Sequence, residues 1–321
     1  MAWQRRGGVG GLVIVAALAG SGIVAAREPT GTSFLAGDGV RISADYYAPA
    51  EGRPGDFPAV MLVHTHRSDR KAWEPLIAPL REAGFAVLAL DLRGHGESAT
   101  TEARQRAIDG DWKLFKEMQE DLRGAYDWLA KQPHVDRARL AVVGASAGAS
   151  VALQYAVKDR SVDAIVCLSP GLNDFGMDAA GDIGQITGRR ILVLATEDQR
   201  DAPYTLEKRG AGVEVKVYRE GPVHGTDLLG AVPQAARDIV AFLKSAVGDR
   251  TDTVVCGSIN SDVYHERDSG WVKQIAPSNL RYYSSPREAE SRGLRAARSK
   301  GPGKGSPDNG EQSGGRRRRQ P

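Results

Sequence analysis

Short apolar segments alternate with amphipathic segments along most of the chain. The apolar segments are rich in β-branched residues and predict strands, whereas the intervening segments repeat apolar residues with helical spacing. Trp73, Leu76, Ile77 and Leu80 show this helical spacing, which ends at Gly84. The alternation predicts an α/β fold: a mostly parallel, doubly wound sheet with helices on both faces. The predicted strands are residues 59–64, 85–91, 140–144, 164–168, 191–195 and 213–218.

Other elements complete one predicted domain over residues 30–248. Residues 33–47 are predicted to form an antiparallel hairpin around a Gly-Asp-Gly turn. An apolar stripe from Phe115 to Leu129 predicts a helix, and residues 226–247 predict a last helix that closes the domain. Only about twenty residues separate the strands at 164–168 and 191–195, so no large lid is expected there.

Both ends of the chain differ from this domain. Residues 1–26 combine Arg5 and Arg6 with an apolar stretch and the small residues of a cleavage site, which predicts a signal peptide. The alternative is an uncleaved N-terminal anchor that tethers the protein to a membrane. Either outcome predicts export, with the domain periplasmic or secreted. Residues 301–321 hold almost no apolar side chains and are predicted to be disordered.

Charge and cysteine content exclude two classes of protein. The formal net charge of +3 becomes −1 without the four terminal arginines 316–319, so the domain itself is not basic. Nucleic acid is therefore not an expected partner. Two cysteines, Cys167 and Cys256, lie in separate segments and do not suggest a disulfide framework.

Ser146 is the candidate nucleophile. It lies in Gly144-Ala145-Ser146-Ala147-Gly148, directly after a predicted strand. Small residues on both sides allow a sharp strand-to-helix turn that raises the serine hydroxyl above the sheet. The alternative is an ordinary glycine-rich turn, because glycine accounts for 38 of the 321 residues.

Acyl transfer also needs a base and a group that orients the base. His224 follows the last predicted strand and Asp198 follows the one before it, which gives the chain order serine, aspartate, histidine. Histidine titrates near neutral pH, so it can take a proton from a serine and return it to a leaving group. Glu197 and Asp201 compete with Asp198 for the acid role. The predicted catalytic residues are Ser146, Asp198 and His224.

Backbone N–H groups are predicted to stabilise the oxyanion. Ala147 begins the helix after the serine, and Thr65 or His66 follows the first parallel strand. His64 and His66 also have the spacing of two metal ligands on one strand face. No further ligand follows at suitable spacing, so neither a metal nor another cofactor is expected.

The segment Asp91-Leu92-Arg93-Gly94-His95-Gly96-Glu97-Ser98, together with the serine turn and His224-Gly225, resembles the α/β-hydrolase superfamily. The resemblance covers about residues 32–247. It implies that the segment after Asp91 shapes a loop beside the site, and that His95 is not a second base. The short connections resemble the dienelactone-hydrolase-like branch, with serine in place of that branch's cysteine nucleophile. Thr65 departs from the family pattern, which has glycine at this position.

Residues 253–300 resemble the small metal-binding module of the Ada DNA-alkylation-repair protein. The resemblance rests on the segments at 264–273, 279–285 and 288–293. Its zinc-binding cysteines are replaced by Ser269, Ala297 and Lys300, which implies a degenerate, metal-free accessory module. Such a module is expected to rely on aromatic packing or on the domain before it. The aromatic residues concerned are Tyr264, Trp271, Tyr282 and Tyr283.

These features predict an exported serine hydrolase that cleaves small-molecule carboxylic esters through an acyl-enzyme. One alternative is a peptidase or amidase with the same three residues. The other is a non-catalytic binding protein on a hydrolase fold. The C-terminal segment is a candidate docking element for a protein partner.

Overall fold

A computed structural model describes residues 28–49, 57–248, 255–266, 269–276, 279–283 and 286–297. The predicted signal peptide or anchor at 1–26 and the predicted disordered tail at 301–321 lie outside these residues, and both stay predictions. Among the helices of the described ranges, none is both long and apolar enough to cross a membrane.

Strands from the first described part of the chain form the central sheet. Eight of them pair in the order β1-β2-β4-β3-β5-β6-β9-β10, and the remaining two form a separate short hairpin. β1 and β2 pair antiparallel, β2 pairs antiparallel with β4, and the other neighbours are parallel. These strands are β1 (Thr30–Leu35), β2 (Arg41–Tyr47), β3 (Phe57–Val63), β4 (Ala86–Leu90), β5 (Val135–Ala145), β6 (Val162–Leu168), β7 (Asn173–Asp174), β8 (Met177–Asp178), β9 (Arg190–Thr196) and β10 (Val213–Tyr218).

Helices cover both faces of the sheet, and each face has its own apolar core. Helices α1, α8 and α9 bury one face, while α2 to α7 contribute to the core on the other. This is the doubly wound arrangement that the alternation of strands and helices predicts. The helices are α1 (Glu74–Glu82), α2 (Thr101–Ile108), α3 (Trp112–Glu117), α4 (Gln119–Leu129), α5 (Ala147–Lys158), α6 (Ala179–Gln185), α7 (Asp201–Arg209), α8 (Leu228–Ala231) and α9 (Pro233–Leu243).

The register of the parallel strands places their carboxyl ends side by side. Val63 pairs with both Leu90 and Gly144, and Leu168 pairs with Ala145 and Leu194. The residues that directly follow β3, β4, β5, β6 and β9 therefore share one edge of the sheet, where doubly wound folds bind ligands.

The structure differs from the predicted elements at three places. The helix predicted over 115–129 is divided at Met118 into α3 and α4, and the last helix is divided at Val232 into α8 and α9. Pro233 explains the second break because it has no N–H to donate to the preceding turn. β5 begins at Val135, earlier than predicted, because Asp136 and Arg139 interrupt its apolar pattern.

Residues 255–297 form a second, smaller sheet. Its strand order is β13-β11-β12-β14, and a short helix, α10, packs beside it. Tyr264 and Tyr283 share a small apolar cluster, whereas the Trp271 side chain is 64% exposed and stacks on His265. Trp271 is therefore not part of the buried cluster that holds Tyr264 and Tyr283. The elements are β11 (Val255–Ser258), β12 (Val263–Glu266), β13 (Leu280–Tyr283), α10 (Pro286–Ser291) and β14 (Arg295–Ala296).

The small sheet packs against the beginning of β5. Cys256, Val272 and Leu280 form an apolar cluster with Ala138, and Arg281 forms an ion pair with Asp159. Ala138 lies eight residues before Ser146, a separation of about 26 Å along an extended strand. The C-terminal sheet therefore lies at the opposite end of β5 from the candidate nucleophile.

Candidate active site

The backbone at Ser146 forms a strained turn between β5 and α5. Ser146 has φ of 51° and ψ of −123°, outside the regions that side-chain-bearing residues normally adopt. A Cβ on Gly144 would lie 2.3 Å from the carbonyl oxygen of Gly148, and one on Gly148 would lie 2.4 Å from that of Val63. Both glycines are therefore required for α5 to pack this closely on the sheet.

The predicted oxyanion donor Ala147 lies at the beginning of α5. Ala147 is the first residue of the helix, so its N–H has no acceptor within the helix, and it benefits from the helix dipole. The neighbouring Ser146 N–H donates to the carbonyl oxygen of Leu168 in β6 at 2.8 Å, which fixes the turn against the next strand. This bond anchors the turn from which Ala147 begins α5.

The loop after β3 is the predicted source of the second donor. Thr65 and His66 both lie in this loop, and a Cβ added to Gly225, whose φ is +60°, would lie 3.4 Å from the Thr65 Cβ. The predicted oxyanion loop therefore lies next to the loop that carries His224. In the loop after β3, the residue with left-handed backbone is Arg67, with φ of +60°. Position 65 therefore does not need the conformational freedom of glycine.

His224 reaches the candidate nucleophile. Its Nε2 atom lies 2.8 Å from Ser146 Oγ, a normal hydrogen-bond distance. His224 follows β10 and precedes a 3₁₀ turn at Gly225–Asp227, and its side chain is exposed. Two of the three predicted catalytic residues are therefore in direct contact although they are 78 positions apart.

Gln199 is the hydrogen-bond partner on the other side of the imidazole. Its Oε1 atom lies 2.9 Å from His224 Nδ1. Asp198, the predicted acid, lies in the same 3₁₀ turn at Glu197–Gln199, but its side chain is exposed, and its carboxylate accepts hydrogen bonds from Thr196 and Gln199. The bond from Thr196 holds the pKa of the Asp198 carboxyl below its ordinary value.

The two acids that compete with Asp198 are not the partners of His224 either, because Gln199 and Ser146 contact its two ring nitrogens. Glu197 forms an ion pair with Arg200, and Asp201 begins α7. Both line an open, charged cleft together with Asp198 and Arg219. Chain order alone did not identify Gln199, because order does not determine which side chain of a short turn faces the histidine.

A network of charged groups shapes the loop after β4, as the family resemblance implies. Asp91 accepts hydrogen bonds from the backbone N–H groups of Arg70 and Glu97, each at 2.8 Å, and pairs with the Arg70 guanidinium. A Cβ on Gly96 would lie 2.1 Å from the Asp91 carboxylate. These contacts give the segment a structural role in the loop after β4.

Three histidines that follow β3 and β4, at the same edge of the sheet, are held in the neutral form. Burial lowers the pKa of His64 to about 3 and that of His66 to about 4, and it also lowers the pKa of His95. Both ring nitrogens of His64 are occupied, by the Thr65 carbonyl oxygen and the Leu92 N–H. His66 Nδ1 lies 3.1 Å from His95 Nε2. The hydrogen bonds of His64 leave it no nitrogen to bind a metal.

An aromatic wall lies beside the predicted oxyanion loop. The rings of Phe115 and Phe175 stack with centroids 3.8 Å apart, and the His66 ring packs edge-on against both. Phe175 lies at the tip of the β7–β8 hairpin, and Asp174 before it accepts a hydrogen bond from Ser150 in α5 at 3.2 Å. The hairpin therefore holds the wall next to the first turn of α5.

The eight-stranded sheet, the serine turn after β5 and the histidine after β10 define the α/β-hydrolase fold. Residues 57–195 match the family model described as serine aminopeptidase, S33. That match ends before the small sheet, so the Ada-like assignment of residues 253–300 stays a prediction.

Curated proteins match less than half of this chain. An uncharacterised protein of Mycobacterium tuberculosis is 34% identical over 133 residues, which cover 41% of this chain and 42% of that protein. The magnesium-chelatase 30 kDa subunit of Rhodobacter capsulatus is 33% identical over 141 residues, 44% of each chain. The chain thus spans less than half the length of these relatives.

Solved structures match over a larger part of the chain. An esterase from Pyrococcus furiosus has a TM-score of 0.55 and 19% identity, and the match covers 69% of this chain and 94% of that one. Dienelactone hydrolase from Anabaena variabilis gives the same TM-score and identity, with coverage of 69% and 100%. At this identity the likeness establishes the fold, which confirms the predicted fold class.

Proposed function

We propose that this protein is a serine hydrolase that cleaves carboxylic esters through an acyl-enzyme on Ser146. The observation that carries the proposal is the 2.8 Å contact between Ser146 Oγ and His224 Nε2 at a strained strand-to-helix turn. A serine held there has a base in reach of its proton, and Ala147 beside it has an N–H free to bind an oxyanion.

Acylation begins with attack of Ser146 Oγ on the ester carbonyl carbon. His224 Nε2 takes the hydroxyl proton while the carbonyl π electrons move onto oxygen, where backbone N–H groups receive the charge. The tetrahedral intermediate then reforms the carbonyl and breaks its bond to the alcohol oxygen. The protonated imidazole gives its proton to this oxygen, which leaves as the alcohol.

Deacylation repeats the sequence with water as the nucleophile. His224 removes a proton from water as the water oxygen attacks the acyl carbon, and then returns the proton to Ser146 Oγ as the ester bond to serine breaks. The products are the carboxylic acid and the free enzyme. The exposed position of His224 gives water direct access to the base.

Two substrate classes are consistent with these steps. Esterases and dienelactone hydrolase among the similar structures favour esters. A peptidase or amidase is the second candidate, because the matching family model is described as serine aminopeptidase.

Labelling with a fluorophosphonate probe tests the nucleophile. We expect the purified protein to form one adduct, which mass spectrometry locates on Ser146, and we expect the Ser146→Ala variant to remain unlabelled while folding normally. A folded protein that does not react would contradict the proposal and favour the non-catalytic alternative.

A substrate panel then separates esterase from peptidase. Aryl and alkyl esters of short acids are compared with aminoacyl anilides under the same conditions, and kcat/KM is measured for each. We expect the esters to be preferred. Higher kcat/KM for the anilides would instead establish the aminopeptidase alternative.

The proposed export is tested independently of activity. We expect expression in a bacterial host to deliver the domain outside the cytoplasm, either cleaved near residue 26 or retained at the membrane through residues 9–24. N-terminal sequencing of the recovered protein distinguishes cleavage from retention. Recovery of the full chain in the cytoplasmic fraction would contradict export.

A further inference from the structure

We propose that Gln199, and not Asp198, is the residue that positions the base His224, so that the imidazole is oriented by a neutral amide. This inference rests on the proposed function, since it concerns the base of that reaction. It names a positioning residue that differs from the acid expected from chain order.

The direction of the Gln199 amide follows from its surroundings. Its nitrogen lies 2.9 Å from the carbonyl oxygen of Val223 and 3.4 Å from both Thr196 Oγ1 and Asp198 Oδ2. Each of these atoms can accept a hydrogen bond. A reversed amide would place its oxygen against a carbonyl oxygen and a carboxylate, so the NH₂ group must face them. Oε1 is therefore directed at His224.

This orientation determines the tautomer of His224. An amide oxygen only accepts, so Nδ1 must carry the hydrogen, and Nε2 is left with the lone pair that faces Ser146 Oγ. This is the tautomer that can remove the serine proton. An amide that presented its NH₂ group to Nδ1 would select the opposite, inactive tautomer, and the Val223 carbonyl prevents that arrangement.

Asp198 is close enough to act on the charge of the site but is not placed to orient the ring. Its carboxylate contacts Thr196 and the Gln199 amide, and it faces the open cleft that holds Arg200 and Arg219. It can therefore contribute to positioning only by helping to hold the Gln199 NH₂ group. Because Asp198 is exposed, solvent screens the electrostatic attraction between its carboxylate and a protonated His224.

A neutral partner has a measurable consequence. A carboxylate would stabilise the protonated imidazole, whereas an amide oxygen supports it only through its dipole. Replacement of Gln199 by glutamate should therefore favour protonation of His224. The acid limb of the kcat/KM profile should move to higher pH, an effect that a purely structural residue would not produce.

Four full-length variants test the inference with the best ester of the panel. Gln199→Met keeps the side-chain length but removes the acceptor, and we expect it to lower kcat/KM by about 100-fold. Gln199→Glu restores an acceptor, and we expect activity within about tenfold of wild type with the acid limb at higher pH. The kcat/KM of Asp198→Asn should remain at least about tenfold higher than that of Gln199→Met, because Asp198 does not contact the ring. Glu197→Gln, a neighbour paired with Arg200, serves as the control.

Each outcome separates this inference from the proposed function. A wild-type protein without a Ser146 adduct would end the proposed function, whatever the variants show. With a reactive wild type, a greater loss from Asp198→Asn than from Gln199→Met would establish Asp198 as the orienting residue and overturn the inference. An unshifted pH profile in an active Gln199→Glu variant would also overturn it. Circular dichroism confirms that each variant is folded.

Discussion

The two sides of the candidate site are built in different ways. On the nucleophile side, Ser146 is fixed by backbone packing, with Gly144 and Gly148 in contact with carbonyl groups and a strand on either side. On the base side, His224 is exposed and is held by the side chain of Gln199 from another loop. Substitutions at the two packed glycines of the first side should therefore affect folding, whereas substitutions at His224 or Gln199 should affect activity alone.

Replacement of His224 by asparagine is expected to have the largest effect. Because asparagine cannot accept the serine proton, we expect kcat to fall by about 10⁴-fold. Because the side chain is exposed, the melting temperature should remain within about 2 °C of wild type. Steady-state kinetics and thermal unfolding measure the two quantities. A large loss of stability would show that the base side also holds the fold together.

Gly148→Ala tests the opposite side. The added methyl group would lie 2.4 Å from the carbonyl oxygens of Val63 and His64, so we expect the free energy of unfolding to fall by about 3 kcal/mol. Gly230→Ala is the matched control in α8, because nothing lies within 4 Å of its added methyl group. Urea unfolding of both variants gives the comparison. Equal stability of the two variants would contradict the steric argument.

The buried His64 should make the nucleophile side sensitive to acid. Its pKa is lowered from 6.5 to about 3, so the unfolded chain binds a proton between these values while the folded protein does not. Its contribution to stability is present above pH 6.5 and is lost as the pH falls toward 3, by about 2 kcal/mol between pH 7 and 5. NMR of the ring nitrogens should show His64 neutral at pH 5. Titration of the His64 ring near pH 6.5 would contradict this prediction.

Phe175→Ala probes the aromatic wall beside the predicted oxyanion loop. Loss of the stack with Phe115 should cost about 1 kcal/mol beyond the lost burial. Because the same rings hold His66 in the predicted oxyanion loop, we expect kcat/KM to fall by about tenfold. Tyr204→Ala, an exposed aromatic residue on α7, is the control. Unchanged kinetics in Phe175→Ala would separate the wall from the site.

Removal of the chain after Gly248 should have the smallest effect on activity. The small sheet lies at the far end of β5 from Ser146, so we expect kcat/KM to change by less than about twofold. The melting temperature should fall, because Ala138 loses its contacts with Cys256, Val272 and Leu280. Loss of activity in a folded truncated protein would show that the segment shapes the site.

The sequence predicted the features of the fold and the site that depend on the backbone, but not those that depend on the direction of individual side chains. The strand positions, the serine turn and the pairing of Ser146 with His224 follow from apolar periodicity, small residues and chain order. Gln199 could not be identified in this way. Asp198 and Gln199 are adjacent, and the direction of each side chain is set by Val223 and Thr196, which come from two other positions along the chain.

The break at Met118 and the early start of β5 were missed for related reasons. A continuous apolar stripe does not reveal that a helix is interrupted while its two halves share one core. Charged residues at the start of β5 hide the strand, since Asp136 and Arg139 bond to each other there and need no apolar pattern. In both cases tertiary contacts, not local periodicity, decided the structure.

The attachment of the small sheet at the beginning of β5 makes the molecule modular along a single strand. One end of β5 leads to the candidate nucleophile Ser146, and the other, about eight residues away, carries Ala138, against which the C-terminal sheet packs. Sequence changes in the C-terminal sheet should therefore affect stability and leave the candidate site unchanged. A reporter or an affinity surface grafted there could be exchanged without redesign of the chemistry.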